Sequence, residues 1–400
     1  MTSRGSSGSG ASGVTLALVL CITLTGIMGN VLLTAVVPDI VRDFREPLSR
    51  AGLLMAVTTA PGILLAPVIG LLADRHGRRN VVVPCLALFG VAGGLASWAP
   101  SYDALLVLRF FQGVGSAGLI NLAIALIGDT WSGTERARMI GRNAAGLTIA
   151  IVVLPPFGGW LGQVWGWRAT FAPYWLGVVA AAVVWVRLPG SVRREGSLRD
   201  HLAAAAPALR SRAVSGPVVL GAVAFALIFG VFLTVVPLYL DRSFDLGPGA
   251  RGMLLAVPGV SSTVTALNLA RLRSKFRTST LLSGAFAGFA LGFVVMGAVS
   301  SLVALAVGAL LYGAAEGVAI GTLQDAVSEA APAASRGAIV AVWVGVARLG
   351  QTAGPMAAAA GVDGPGVTPT LLAAGALAAA LSVAATWWLA EGKLAPRANT

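Results

Sequence analysis

The chain has 400 residues, of which 56% are hydrophobic and 11% charged, whereas soluble domains carry about a quarter charged residues. That composition excludes a soluble globular protein. Apolar runs of roughly 20 residues recur from end to end, each about long enough to cross a bilayer core as a helix, and a membrane barrel would show short alternating segments instead.

Residues 1–13 are rich in Gly and Ser and are expected to form a disordered tail. The first apolar segment is too long for a signal-peptide core and lacks a convincing cleavage site, so it reads as span 1. Twelve spans fit: about 14–37, 51–72, 80–99, 104–128, 138–162, 168–187, 214–238, 252–270, 279–299, 302–324, 336–360 and 369–390. The longest polar interruption, 188–213, carries Arg193, Arg194, Arg199, Arg210 and Arg212. It is expected to link a six-helix bundle over 14–187 to a second over 214–390, with 391–400 as a tail.

The net charge of +12 does not point to nucleic acid. In this topology 20 of the 28 Lys and Arg residues share the side of loop 70–79, six lie opposite, and two fall inside the membrane. Such asymmetry marks the loop 70–79 side as cytoplasmic, and an even number of spans puts both termini there. Cys21 and Cys85 sit in apolar segments and read as small core side chains. The halves repeat at an offset near 200: Val36-Val37-Pro38 with Phe44 recurs as Val235-Val236-Pro237 with Phe244. Arg136 matches Arg336, Pro155 matches Pro355, and Ala150 and Leu154 match Gly350 and Gly354.

Loop 70–79 reads Gly-Leu-Leu-Ala-Asp-Arg-His-Gly-Arg-Arg between two apolar runs. It resembles the loop between helices 2 and 3 of the major facilitator superfamily, through Gly70, Leu72, Asp74, Arg75, Gly77, Arg78 and Arg79. The resemblance implies twelve transmembrane helices in two six-helix bundles related by a pseudo-two-fold axis, which rock around a central site. It also implies a conformational latch at this loop. Asp74 would face the start of span 11, where Ser335 could cap and the helix dipole favours an anion. Arg75 or Arg78 would pair with Asp129 at the end of span 4, and Gly77 would permit the turn. The second half offers only Arg271-Leu-Arg-Ser-Lys-Phe-Arg277, without an acid, so a one-sided latch is expected.

Span 4 carries Arg109, Gln112 and Gly113, similar to the family's Arg-x-x-Gln-Gly pattern, where the arginine is implicated in proton handling. A charge at such depth usually faces a bundle interior or a wet cavity. Span 5 resembles the antiporter pattern through Gly141, Pro155, Gly158 and Gly159, with Ala150 and Leu154 where glycines are expected. Span 11 repeats it with Gly350, Gly354 and Pro355. Small residues let helices approach closely and proline bends them. Trp165-Gly-Trp167-Arg168 with Phe171 opens span 6 and fits an interfacial aromatic anchor.

Glu316 is the one carboxylate deep inside a span, with Arg348 in span 11 as its expected partner. Burial disfavours a charged carboxyl and a neighbouring cation favours it, so a group held between the two can titrate near physiological pH. Glu316, Arg109, Asp39 and Arg348 are therefore the proton-coupling candidates. Asn30, Arg109, Gln112, Phe225, Phe229, Tyr239, Glu316 and Trp343 are the candidates for lining a substrate cavity.

No nucleotide loop, HExxH zinc motif or Ser/His/Asp set stands out, so neither an enzyme nor a cofactor or metal site is expected. The reading is a proton-coupled exporter of small hydrophobic or amphipathic compounds, similar to the twelve-span drug:proton antiporters. It would act as a monomer in a bacterial plasma membrane, with protons, a small-molecule substrate and the bilayer as partners. An importer or uniporter of a small metabolite on the same fold is the alternative.

Overall fold

The computed structural model describes residues 9–188, 210–332 and 336–390. Among these described residues twelve helical segments follow one another: α1 (Leu16–Asp43), α2 (Ser49–His76), α3 (Arg78–Trp98), α4 (Tyr102–Thr130), α5 (Gly133–Trp165), α6 (Trp167–Arg187), α7 (Arg212–Phe244), α8 (Pro248–Leu267, continued by Leu269–Lys275), α9 (Thr278–Ala298), α10 (Leu302–Ala330), α11 (Arg336–Asp363) and α12 (Val367–Ala390). Ten are long and apolar enough to cross a membrane, and the bent α8 makes eleven. The twelfth is α11, which packs along α2.

Several local departures have physical causes. The helix of α1 starts at Ser9, inside the stretch expected to be disordered. Once a helix is nucleated, each added residue gains a hydrogen bond; residues 1–8 lie outside the described ones. α1 tightens at Thr34–Val36, and Pro38 then sits in the first turn of Val37–Asp43, where its missing N–H costs nothing. α8 bends by 53° at Asn268, whose side chain bonds the Val264 carbonyl at 2.8 Å and competes with the backbone ladder. Most of the 188–213 linker and all of 391–400 lie outside the described residues.

Helix α7 widens over Leu227–Val235 into a π-helical stretch. Thr234 Oγ1 donates to the Phe229 carbonyl five residues back, at 2.7 Å. Such insertions in an α-helix are rare and recur at functional sites. Here the wide turn presents Phe232 to Tyr312 of α10, their rings stacked 4.3 Å apart, with Phe289 and Phe293 of α9 completing the cluster.

The halves meet along α2–α11 and α5–α8, and the two seams share one plan displaced by 200 residues. Gly52 abuts the carbonyl of Pro355, and Gly252 abuts the carbonyl of Pro155. Ser49 N donates to Asp363 Oδ2 at 3.0 Å, and Gly249 N donates to Gln163 Oε1 at 3.4 Å. Thr59 meets Thr352 as Gly259 meets Val152. In both seams a glycine lets the backbone carbonyl of a helix proline in the other half come close. A side chain from the other half then satisfies an amide at the helix start.

Candidate functional site

The seams end at the face opposite loop 70–79 in a charge cluster shared by both halves. Asp39 and Arg42 come from α1, Asp241 from the end of α7 and Arg251 from α8. Arg251 Nη2 bonds Asp39, Arg42 Nη2 bonds Asp241, and Arg251 also lies 3.4 Å from Asp241. Each half contributes one acid and one arginine, so both strong bonds cross the seam. Arg251 is fully buried, while Asp39 and Asp241 are 22% and 15% exposed. Asp39 is thus committed to a cross-half ion pair. Sequence reading missed Arg42, Asp241 and Arg251, although Arg42 and Asp241 stand 199 residues apart in the repeat.

At the 70–79 face the ion pairs join elements of one half. Arg78 reaches Asp74 at 2.7 Å and Asp129 at 3.1 Å, tying the start of α3 to the ends of α2 and α4. Gly77 turns with φ 91°, a region that favours glycine. Arg79 lies over the Trp185 ring of α6 at 4.9 Å. Nothing lies within 4 Å of a Cβ built at Gly70, so packing does not require a glycine there. The expected approach of Asp74 to Ser335 lies outside the described residues.

The second half carries its own clamp, which corrects the one-sided expectation. Arg273 Nη1 bonds Asp325, and its Nη2 bonds Glu329 at 2.7 Å. The acids come from the end of α10 rather than from the loop, so a search of the loop alone could not find them.

Arg109 is fully buried inside the first half. Its Nη1 donates to Gln112 Oε1 at 2.6 Å and its Nη2 to Asn30 Oδ1 at 3.4 Å. Gln112 is likewise buried, so these two candidates are sealed in helix packing in this structure. The other cavity candidates divide into separate groups. Phe225, Phe229 and Trp343 form one ring cluster between α7 and α11, with centroids about 6.3–6.4 Å apart. Tyr239 packs edge-on to Phe244 near the charge cluster.

Glu316 and Arg348 do not form the expected pair. Neither side chain has an ion-pair or hydrogen-bond partner among the described residues. The reason lies in helix azimuth. Glu316 follows Tyr312 by one turn on the bundle-facing side of α10. Arg348 instead points across the seam to α2, where its Cδ and Nε lie 3.3 Å from the Cβ position of Gly62. Both are half-buried.

The helix-bend residues fall into two kinds. Gly158 abuts the Leu32 carbonyl, Gly159 that of Pro248 across the seam, Gly350 that of Ala222, and Gly354 the backbone of Ala226. These glycines are where helices touch backbone to backbone. Gly141 has nothing within 4 Å of a built Cβ. Beyond the helices, Arg168 and Trp167 Nε1 both bond Asp43 Oδ2, at 2.7 and 3.1 Å, fastening the start of α6 to the end of α1.

Two bundles of membrane-crossing helices, joined by two pseudo-symmetric seams, define a multi-pass membrane protein with the architecture of a transporter. The chain belongs to the major facilitator superfamily, whose model matches residues 18–276 and 218–400. It is similar to the class D tetracycline resistance protein of Salmonella ordonez, 25% identical over 351 residues, 85% of this chain and 87% of that protein. It is also similar to the multidrug transporter protein MdtP of Bacillus subtilis, 31% identical over 38% of this chain and 28% of that protein. The match spans about a third of the length of that relative and of two further curated ones, the bacillibactin exporter of Bacillus subtilis and a triacylglyceride transporter of Mycolicibacterium hassiacum. Among solved structures, a bacterial homologue of the human lysosomal transporter Spinster, inward-facing and unoccupied, superposes with a TM-score of 0.77 at 19% identity. That likeness covers 97% of this chain and 100% of the other.

Proposed function

We propose that the chain is a proton-coupled exporter of small hydrophobic or amphipathic compounds, acting as a monomer by alternating access. The observation that carries this reading is Glu316, a mid-helix carboxyl with no cation or hydrogen-bond donor paired to it among the described residues. A carboxyl not fixed by a counter-ion can pick up a proton on one side and release it on the other as access alternates, which is what coupling to a proton gradient requires. The positive-inside bias makes the 70–79 face cytoplasmic and puts both termini there. The Asp39–Arg251 and Arg42–Asp241 bonds then hold the outer side shut, and the structure stands for a state closed outward. The Arg78 and Arg273 clamps stiffen each half at the inner side so that it moves as a body. Efflux rather than uptake is supported by the printed name of one relative, the bacillibactin exporter.

The test uses protein reconstituted in liposomes holding a pH-sensitive dye. A proton gradient is imposed and a panel of neutral, anionic and cationic amphiphiles is added. Compound-dependent proton flux that disappears in Glu316→Gln is expected. Flux unchanged in that variant would remove Glu316 from coupling, and no flux with any compound would favour the metabolite importer or uniporter.

A further inference from the structure

Arg348 is a guanidinium in mid-helix with no counter-ion among the described residues. A cation at the bilayer centre is costly even when it can relax toward water, so one left without a partner needs a reason. The other deep arginine, Arg109, is accounted for by Gln112 and Asn30, and buried Arg251 by two aspartates. Glu316 faces another direction on α10. Arg348 points instead into the α2–α11 seam, against Gly62, the one residue type that gives it room and offers it nothing to bond. Gln351, one turn further along α11, keeps a buried Oε1 without a hydrogen-bond partner.

The repeat sharpens the point. The matching seam places Thr148 of α5 where Arg348 stands and Ser262 of α8 where Gly62 stands, at the same offset of 200. The scaffold therefore does not need the charge, because the equivalent crossing is made without one. The charge sits on one side only, at mid-helix depth between the two halves, the depth at which transporters of this architecture hold their substrates.

We infer that Arg348 is the anion-recognition residue of the transport site, and that the substrate class is amphipathic organic anions bearing a carboxylate or a comparable group. The inference rests on the transport reading above and names its substrate. A planar guanidinium offers paired N–H donors to a carboxylate, so the contact gives orientation as well as charge.

The test is binding, not flux. Purified protein in phosphatidylcholine nanodiscs is titrated with naphthyl, biphenyl and octyl scaffolds, each as carboxylate, primary amide and ammonium. The wild type is expected to prefer carboxylates. Arg348→Gln is expected to weaken carboxylate binding by about tenfold or more without lowering the melting temperature of the unliganded protein, because the lost cation had no partner. Arg348→Lys keeps part of the preference. Gly62→Asp gives a second route, supplying a counter-ion inside the protein. It is expected to abolish carboxylate binding and raise stability, while Gly62→Ala keeps both near wild type.

Discs containing phosphatidylglycerol separate two sources of the anion. Competition by that lipid would make a lipid headgroup the resident anion at Arg348, and undiminished binding would make it a soluble amphiphile. Equal binding of carboxylate and amide, or an undiminished preference in Arg348→Gln, overturns the inference. Proton flux driven by a neutral compound alongside that result would leave the exporter reading standing.

Discussion

At the scale of single residues, the chain separates charges that are satisfied from charges that are not. Arg251 is sealed from solvent and held by two acids from different halves. Removing partners from a buried ion typically costs about 3–5 kcal/mol, because the remaining charge is stranded. The double substitution Asp39→Asn with Asp241→Asn is therefore expected to destabilise the outward-closed state by roughly 3 kcal/mol, a population shift on the order of a hundredfold. Spin labels at Asp103 and Ser300, exposed on the same face in opposite halves, would report a longer distance in the variant. An unchanged distance would show that the helix seams, and not the charges, keep that face shut.

At the scale of helices, glycine position decides how closely two elements approach. Gly52 and Gly252 each face a carbonyl of a proline in the other half. A valine at either site has no space without moving backbone, so Gly52→Val and Gly252→Val are expected to lower the melting temperature and to loosen the seam they belong to. Gly141 and Gly70 make no such contact. Gly141→Ala, inside a helix, is expected to be neutral or to stabilise by up to about 1 kcal/mol. Thermal unfolding in detergent separates the two pairs, and equal losses at all four sites would refute the distinction. The π-helical stretch of α7 works at the same scale, since its extra residue sets the direction in which Phe232 meets Tyr312.

At the scale of the whole molecule, two rigid halves meet in bonds that cross the seam on one face and carry intra-half clamps on the other. Transport then becomes a competition between closing one face and closing the other. Asp74 is 38% exposed and its Arg78 partner also holds Asp129, so the pair contributes about 1 kcal/mol or less. On the latch reading of this loop, in which Asp74 also reaches the start of α11, Asp74→Asn is expected to shift the protein severalfold toward opening at the 70–79 face. Labels at Thr134 and Ser274, one in each half, would read this as a longer mean distance. No change would confine Asp74 to anchoring its own loop.

Much of this was legible in the sequence, for reasons of physics. Helices are the economical way to satisfy backbone groups in hydrocarbon, so apolar runs gave twelve spans, and the 200-residue repeat gave two halves. In loop 70–79 residue type and spacing pointed to an ion pair with Asp129, and Arg78 does reach it. What the sequence could not carry was azimuth. Whether Arg348 turns toward Glu316 or toward Gly62 depends on how α10 and α11 are rotated in the bundle, and no local pattern encodes that rotation. The Asp39–Arg251 and Arg42–Asp241 bonds join residues about 200 positions apart, and the acids of the Arg273 clamp lie some 50 residues beyond their arginine. Charges distant along the chain become partners only when packing brings their helix ends together. Composition and periodicity set the architecture; only the tertiary structure decided which charges pair across the halves and which find no partner among the described residues.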